Sequence, residues 1–224
     1  MKEIICFDLD NTLIYSDDAQ VEAYNKAFLR SGLKVVEERR LKGLLNGALG
    51  ERIIKSLFPF LNKEQVREVE IQHRMAIINE CSGKARMLTK NTIETLKKLK
   101  RQYVLVLVSN NTTEGIYALM RGAKLPPELF ERIIGKDKVK KGKPAPDEIF
   151  KAEKLLHHKV ALMIGDSIFD VRAGKRAKVK TIAVLTGNCS RKELEKEKPD
   201  FIVSNIDIVP VILEKNKIFK ERDR

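Results

Sequence analysis

Two aspartates stand directly after the first apolar run of the sequence. Asp8 and Asp10 follow the run Ile4–Phe7 and are separated by one residue. In an extended chain, residues two positions apart point to the same side, so the two carboxylates would be paired at the end of a strand. Such a pair can bind a metal ion or transfer protons, but an acidic pair in a loop can also simply cap the following helix.

A second acidic pair has the same placement later in the chain. Asp166 and Asp170 follow another apolar run, Val160–Ile164, and precede a helical pattern. Four carboxylates at one edge of a sheet would raise one another's pKa unless a cation neutralised them. The pattern therefore predicts a hard divalent metal with oxygen ligands, for which Mg²⁺ is the natural candidate. The alternative is that Asp166 and Asp170 only cap the helix that follows them.

Hydroxyl, amide and ammonium groups occur in two further segments that lie ahead of helical patterns. The turn Ser109–Thr112 follows the strongly apolar run Val104–Val108, and such donors ahead of a helix can bind phosphate. A plain helix cap would have a similar sequence. Lys143 lies in a Pro-containing loop, Lys141–Asp147, where a fixed cation could balance carboxylates and a phosphoryl group.

These polar groups belong to a regular alternation of short apolar, β-branched runs with helical patterns. The alternation predicts an α/β fold with a doubly wound, Rossmann-like, mainly parallel sheet. In such a sheet, ligands bind at the carboxyl ends of the strands, where the polar groups are expected. The predicted strands are Ile4–Phe7, Val104–Val108, Val160–Ile164, Thr181–Val184 and Phe201–Val203, and the helices between them include Asn91–Arg101, Asp147–Leu156 and Val171–Ala177.

One region interrupts the alternation. From Ser16 to about Arg86 there are helical patterns and no convincing strand, which predicts an inserted helical domain. We therefore expect an α/β core domain of residues 1–15 and 86–224, with a helical domain of residues 16–85. The insertion starts just after the first strand and so lies beside the predicted ligand-binding edge. Its predicted helices are Ala19–Arg30, Val35–Leu45, Glu51–Leu57 and Lys63–Asn79.

The composition limits the kinds of function. The chain has 224 residues, 43% of them hydrophobic, and no apolar stretch approaches the roughly 18 residues of a membrane helix. A net charge of +13 could indicate nucleic-acid binding, but basic residues alternate with Glu, so we expect an ion-paired surface and no nucleic-acid or membrane partner. The three cysteines and three histidines lack metal-ligand spacing. The first residues contain no signal-peptide core, which predicts a cytoplasmic location.

Taken in order, the polar groups resemble the four sequence motifs of the haloacid dehalogenase-like (HAD) superfamily. The resemblance extends over the whole chain, and each motif comes after a predicted strand or before a predicted helix. One departure is Asn11, which stands where the superfamily often has Gly. The matching residues are Asp8, Asp10 and Thr12 in the first motif, Ser109 in the second, Lys143 in the third, and Asp166 and Asp170 in the fourth.

The resemblance implies a role for each acidic residue. Asp8 is expected to attack phosphorus, and Asp10 to protonate the leaving oxygen and then activate water. Mg²⁺ is expected on the side chain of Asp8, the main-chain carbonyl of Asp10 and an oxygen of Asp166. Asp170 is expected to be a further metal ligand or to contact the residues that bind the metal.

The resemblance also implies how the phosphate is held. Ser109 and the Asn110 backbone are expected to bind phosphate oxygens, and Lys143 is expected to offset negative charge on Asp8 and on the transferring group. Thr12 is expected to supply a supporting hydrogen bond.

The helical insertion resembles the superfamily's cap, which closes over the core and contributes specificity. Within it, the segment Leu45–Arg52 resembles the loop that family members point at the active site. Arg52 is therefore a candidate contact to the substrate, and the alternative is an ordinary surface arginine.

The implied activity is that of a phosphatase acting on a small phosphorylated metabolite. The chain resembles the phosphoglycolate phosphatase-like branch in the size of its cap and in the loop that contains Lys143. A phosphomutase resembling β-phosphoglucomutase is an alternative, because the same core serves both reactions. A non-catalytic binding module is a further alternative, although it would tolerate loss of Asp8, Asp10 or Asp166, which are all present.

Overall fold

The computed structural model describes residues 2–216, and a six-stranded parallel sheet lies at the centre of the protein. The strands are β1 (Ile4–Phe7), β2 (Ile14–Tyr15), β3 (Arg86–Met87), β4 (Val104–Ser109), β5 (Arg132–Gly135), β6 (Val160–Gly165), β7 (Lys180–Val184) and β8 (Phe201–Val203). The central sheet has the order β5-β4-β1-β6-β7-β8, and each neighbouring pair is parallel. The predicted doubly wound α/β fold is confirmed.

Helices cover both faces of the sheet because the strands are apolar on both sides. In β1, Ile5 and Phe7 contribute to one hydrophobic cluster, while Ile4 and Cys6 contribute to another. This alternation follows from the period of two along a strand. The helices are α1 (Asp17–Arg30), α2 (Glu38–Leu44), α3 (Gly50–Leu57), α4 (Lys63–Ala76), α5 (Thr92–Lys100), α6 (Thr113–Ala123), α7 (Asp147–Leu156), α8 (Ile168–Arg176), α9 (Arg191–Lys196) and α10 (Val209–Asn216).

Strand β1 lies at the point where the sheet changes direction. The chain adds β4 and β5 on one side of β1 and then returns to add β6, β7 and β8 on the other side. The Asp8 backbone N–H donates to the Ile164 carbonyl at 2.8 Å, so the residues that follow β1 and β6 are neighbours. Such a reversal opens a crevice at the carboxyl ends of the strands.

Four helices, α1 to α4, lie between β2 and β3 and have a hydrophobic cluster of their own. The chain leaves and rejoins the sheet region through an antiparallel pair in which Ile14 faces Met87 and Tyr15 faces Arg86. This pair lies at the predicted limits of the insertion. The division of the chain into a core domain and a helical domain stays a prediction.

Two differences from the predicted elements have simple causes. Strand β5 was not predicted, because only Ile133 and Ile134 in Arg132–Gly135 are apolar and aliphatic, too few for a recognisable run. The helix predicted to extend to Asn79 ends at Ala76, where a π-helical turn, Ile77–Cys81, follows. Among residues 2–216, no helix combines the length and apolar character needed to cross a membrane.

Glu148 is a fully buried carboxyl group in the first turn of α7. Within residues 2–216, neither of its carboxylate oxygens has a hydrogen-bond partner. Burial raises the pKa of Glu148 to about 8, although the nearby Lys143 ammonium opposes this rise. Folding therefore favours the protonated form of this side chain.

We expect Glu148 to make the free energy of unfolding fall as the pH rises from about 4.5, the ordinary Glu pKa, to about 8. In this range the folded protein holds a proton that the unfolded chain has released, so rising pH favours unfolding by at most about 1.4 kcal/mol per pH unit. Glu148→Gln removes this contribution. Denaturant unfolding of both proteins in chelator checks it, because the difference in unfolding free energy should vary with pH. A difference that stays constant across this range would contradict the assignment.

Candidate active site

Three buried carboxylates meet at the carboxyl edge of the sheet. Asp8 follows β1, Asp166 follows β6, and Asp170 lies in the first turn of α8. One oxygen from each lies within 4.8 Å of the others, and all three side chains are buried. The parallel arrangement of β1 and β6 brings these residues together, as the sequence pattern predicts for strand ends.

The Lys143 ammonium lies against this cluster and uses all of its donors. It donates to Asp8 Oδ1 at 2.5 Å, to Asp170 Oδ1 at 2.7 Å and to the Val108 carbonyl at 3.2 Å. Burial by itself lowers the pKa of Lys143, but the carboxylates of Asp170 and Asp8 outweigh it and hold the pKa above its usual value. The lysine is therefore a fixed positive charge at the floor of the site.

The three carboxylates carry more negative charge than this lysine balances. Burial raises the pKa of Asp8 to about 7, a rise that Lys143 opposes and that Asp170 and Asp10 increase. Burial also raises the pKa of Asp166 well above its usual range. A divalent cation among these oxygens would supply the missing positive charge, and Mg²⁺ prefers carboxylate oxygen ligands. The cluster could therefore bind a hard divalent metal.

Asp10 does not belong to the carboxylate cluster, because three donors fix its side chain elsewhere on the cavity wall. Asp10 Oδ1 accepts hydrogen bonds from Ser16 Oγ at 2.5 Å and from Gln20 Nε2 at 3.2 Å. Asp10 Oδ2 accepts one from Asn111 Nδ2 at 2.7 Å. The carboxylate is thus oriented by α1 on one side and by the turn after β4 on the other.

The turn after β4 combines a helix cap with an available hydroxyl. Thr112 caps α6 by accepting a hydrogen bond from the Gly115 backbone N–H at 3.3 Å. Ser109 is buried, and its Oγ accepts a hydrogen bond from the Asn111 backbone N–H at 3.1 Å. This leaves the Ser109 hydroxyl proton free to donate to a bound anion. The capping alternative therefore applies to Thr112 and not to Ser109.

Asp170 takes part in both arrangements that the sequence left open. Its Oδ2 accepts a hydrogen bond from the Ser167 backbone N–H at 3.0 Å, and its backbone N–H donates to Ser167 Oγ at 3.4 Å, which together form the capping box of α8. Its Oδ1 faces Lys143 at 2.7 Å. One carboxylate thus caps the helix and also joins the charged cluster.

The two other polar residues of the first motif have different structural roles. Thr12 Oγ1 donates to Asp166 Oδ1 at 2.9 Å, so its hydrogen bond orients a carboxylate. Asn11 has a φ of 54°, in the left-handed region that Gly and Asn tolerate best. This backbone conformation explains why Asn can stand where the superfamily often has Gly.

A cavity of about 330 Å³ adjoins these groups. Its floor comes from the strand ends, and its other walls include residues of α1, of α4 and of the loop before α3. Sequence reasoning did not single out the wall residues, because polar side chains on a helix usually indicate no more than a solvated face. The wall residues missed in this way are Gln20, Tyr24, Arg67, Glu70, His73 and Arg74.

The loop before α3 packs against the core beside the site. Asn110 Nδ2 donates to the Gly47 carbonyl at 2.9 Å, and Asn188 Nδ2 donates to the Leu45 carbonyl at 2.7 Å. Gly47 has a φ of 86°, and a Cβ atom there would lie 2.5 Å from Ser167 Oγ. A glycine is therefore required for this close approach.

The structure does not bring Arg52 to the cavity. Arg52 is exposed in the first turn of α3, and its guanidinium carbon lies 5.6 Å from the centre of the Phe169 ring. Ile53 and Ile54 occupy the buried face of this helix, so Arg52 is turned away from it. The geometry therefore favours the surface interpretation of this arginine.

Known proteins resemble this chain in sequence and in fold. It is 27% identical over 221 residues to a phosphoglycolate phosphatase of Pseudomonas fluorescens, covering 96% of this chain and 81% of that protein. It is 34% identical over 128 residues to the pyrophosphatase PpaX of Bacillus cereus, covering 55% of this chain and 59% of that protein. The crystal structure of a hydrolase from Pseudomonas syringae has a TM-score of 0.80 at 24% identity, covering 96% and 99% of the two chains. At this identity the structural likeness shows a shared fold.

The match to a protein family covers most of the chain. A family model described as haloacid dehalogenase-like hydrolase matches residues 5–184, a range that contains all four motifs and the helical insertion. The structure brings residues of all four motifs to one edge of the sheet, around a single cavity. The chain therefore belongs to the haloacid dehalogenase-like hydrolase family.

Proposed function

We propose that the protein is a Mg²⁺-dependent phosphatase that hydrolyses a small phosphate monoester through an aspartyl-phosphate at Asp8. The observation that carries this proposal is the position of the Asp8 carboxylate, which lines the cavity and lies 2.5 Å from the Lys143 ammonium. Membership of a hydrolase family and similarity to relatives named as phosphatases support it.

In the first step, a carboxylate oxygen of Asp8 attacks phosphorus, and the bond from phosphorus to the ester oxygen breaks. The departing oxygen takes a proton from Asp10. Asp10 suits this role because Ser16, Gln20 and Asn111 hold its carboxylate at the cavity wall, outside the carboxylate cluster.

In the second step, water attacks the phosphorus of the aspartyl-phosphate while Asp10 takes a proton from that water. The bond from phosphorus to the Asp8 oxygen breaks, which releases inorganic phosphate and restores the carboxylate. Asp10 is then protonated again, as the next turnover requires.

Three groups of the core bind the phosphoryl oxygens or balance their charge. The Ser109 hydroxyl can donate to one oxygen, since its own oxygen already accepts the Asn111 N–H. The Asn110 backbone supplies a further donor. Lys143 offsets the negative charge on Asp8 and on the transferring group, because it is held beside Asp8 by two other acceptors.

Asp8 and Asp166 would hold the metal ion through their side chains, with Asp170 beside them and the Asp10 main-chain carbonyl as a further oxygen. Mg²⁺, when bound, supplies positive charge that offsets the carboxylates and the phosphoryl oxygens. The Thr12 hydroxyl keeps Asp166 oriented for this purpose by its 2.9 Å hydrogen bond.

Residues 16–85 would act as a cap domain over a core of residues 1–15 and 86–224. Two polar contacts support this proposal by joining the segments across the cavity. Lys136 Nζ donates to Glu70 Oε1 at 2.8 Å, and Asn110 Nδ2 donates to the Gly47 carbonyl at 2.9 Å. A cap in this position would exclude water from the aspartyl-phosphate until the second step.

Asp8→Asn should lower phosphate release by more than about a thousandfold, because an amide cannot form the covalent intermediate. The measurement is release of inorganic phosphate from p-nitrophenyl phosphate and 2-phosphoglycolate. Asp200→Asn, at an exposed aspartate beside the start of β8, is the matched control and should retain activity. Wild-type rates for Asp8→Asn would refute the covalent mechanism. A separate assay with a sugar phosphate tests the phosphomutase alternative, because conversion to the isomer without phosphate release would indicate a phosphomutase.

Chelator should abolish phosphate release, and Mg²⁺ should restore it while Ca²⁺ does not, because the looser coordination of Ca²⁺ would misplace Asp8. Mg²⁺ should also raise the thermal unfolding midpoint of the wild type, since a ligand that binds the folded state stabilises it. Asp166→Asn should reduce this rise. Full activity in excess chelator, or an undiminished rise in Asp166→Asn, would contradict the proposed metal site.

Lys143→Met should lower kcat by about 10²–10³-fold, because the fixed charge beside Asp8 is lost. It should also destabilise the protein by about 3–5 kcal/mol, since two buried carboxylates lose their partner. Steady-state kinetics and denaturant unfolding measure the two effects. Lys141→Met, at a neighbouring exposed lysine, is the control. A change in KM alone would assign Lys143 a peripheral role.

A further inference from the structure

Helix α4 presents two arginines to the cavity. Arg67, Glu70 and Arg74 all line it, together with Ile71, and their spacing of three, four and seven residues places them on one face of the helix. These side chains lie on a different wall from the carboxylate cluster and take no part in the two chemical steps. Their charges therefore bear on what else the cavity can bind.

The cations of the cavity differ in whether the protein already neutralises them. Lys143 contacts two carboxylates, and Lys136 pairs with Glu70 at 2.8 Å. The side chains of Arg67 and Arg74 have no ion-pair or hydrogen-bond partner among residues 2–216. Arg74 is half-buried, and its Nε atom is fully buried without an acceptor.

The missing partner of Arg74 is notable because a carboxylate stands at the right spacing. Glu70 precedes Arg74 by four residues, the separation at which Glu and Arg pair most readily on a helix. Glu70 instead pairs with Lys136, which comes from the turn after β5. Arg74 therefore keeps its charge unpaired beside the cavity.

The neighbouring groups from α1 and α4 cannot supply that partner. His73 Nε2 lies 2.9 Å from Gln20 Oε1, and its ring stacks on Tyr24 at 3.9 Å. Desolvation lowers the pKa of His73 to about 3, so the ring is neutral at pH 7. Gln20 is also engaged, through its amide group, with Asp10.

We propose that Arg74 binds a second anionic group of the substrate, so that the substrate is a small phosphate ester carrying another negative charge. This inference rests on the proposed phosphatase function, which places the transferred phosphoryl group at Asp8. A guanidinium binds carboxylate and phosphoryl oxygens through paired hydrogen bonds, whereas a neutral hydroxyl would leave its charge uncompensated. Arg67, which is exposed, adds positive charge on the same helix face.

The test compares phosphate compounds that differ in the charge of the part beyond the transferred phosphoryl group. The probes are the ester 2-phosphoglycolate, the ester 2-hydroxyethyl phosphate, in which a neutral hydroxyl group replaces the carboxylate, and the anhydride pyrophosphate, whose second phosphoryl group is anionic. Arg74→Gln should lower kcat/KM about ten- to hundredfold for the probe whose anionic group is recognised, the loss expected for a hydrogen bond between charged groups. The loss for 2-hydroxyethyl phosphate should stay below about threefold, and Arg74→Lys should recover part of the activity.

Two controls separate recognition from other effects. Arg40→Gln removes one positive charge from an exposed arginine of α2, which lines a separate groove, and should change none of the three rates. The thermal unfolding midpoint of Arg74→Gln should match that of the wild type. An equal loss on 2-hydroxyethyl phosphate and on the two probes with a second anionic group, or no loss on any probe, would overturn the proposal for Arg74.

Binding to the inactive Asp8→Asn protein decides the question even without turnover. Calorimetry with Mg²⁺ should show that adding Arg74→Gln weakens the binding of 2-phosphoglycolate or pyrophosphate. The binding of 2-hydroxyethyl phosphate should stay nearly unchanged. If the wild type releases phosphate from none of the three probes, the phosphatase proposal fails, while calorimetry still tests the anion site. If phosphate is released and Arg74→Gln alters neither binding nor rate, the anion site alone is refuted.

Discussion

The balance of buried negative charge is the constraint on which the rest of the site depends. One carboxylate oxygen each of Asp8, Asp166 and Asp170 lies within 4.8 Å of the others, and all three side chains are buried. Lys143 balances part of their charge and cannot move freely, because Asp8, Asp170 and the Val108 carbonyl use its three donors. The remaining charge favours binding of a divalent cation. Burial, together with the neighbouring carboxylates, raises the pKa of Asp8 and of Asp166, so under the proposed function the nucleophile and the metal site depend on the same balance of charge.

Two parts of the structure contribute different walls to one cavity. The strand ends supply rigid positions for charged groups, because their backbones are fixed by hydrogen bonds within the sheet. Helices α1 and α4 supply the opposite walls, and their side chains depend on packing in a separate hydrophobic cluster. Gln20 joins the two parts, since it contacts His73 on α4 and Asp10 beside the strand ends.

The fold and the floor of the site could largely be predicted, but the cavity walls could not. The predicted strands Ile4–Phe7 and Phe201–Val203 and the helix Asp147–Leu156 agree with the structure residue by residue. Strand β5 was missed because its apolar run is too short to recognise in the sequence, and the strand is stabilised by its pairing with β4. Arg52 was expected at the cavity from its position near a glycine-rich loop, yet it is exposed and lies beside the Phe169 ring instead of lining the cavity. The hydrogen bonds of Asp10 with Gln20 and Asn111 join residues that no local sequence pattern connects.

The sequence by itself determined which residue types follow which strands, and therefore which groups meet at the sheet edge. This is possible because parallel strands place their carboxyl ends together whatever their separation along the chain. Only the tertiary structure decided which face of α4 meets the cavity and which carboxylate pairs with which cation. Glu70 could have paired with Arg74 on its own helix, but it pairs with Lys136, 66 residues away. That choice depends on how the helices pack against the core, a balance of contacts between distant segments that no local spacing encodes.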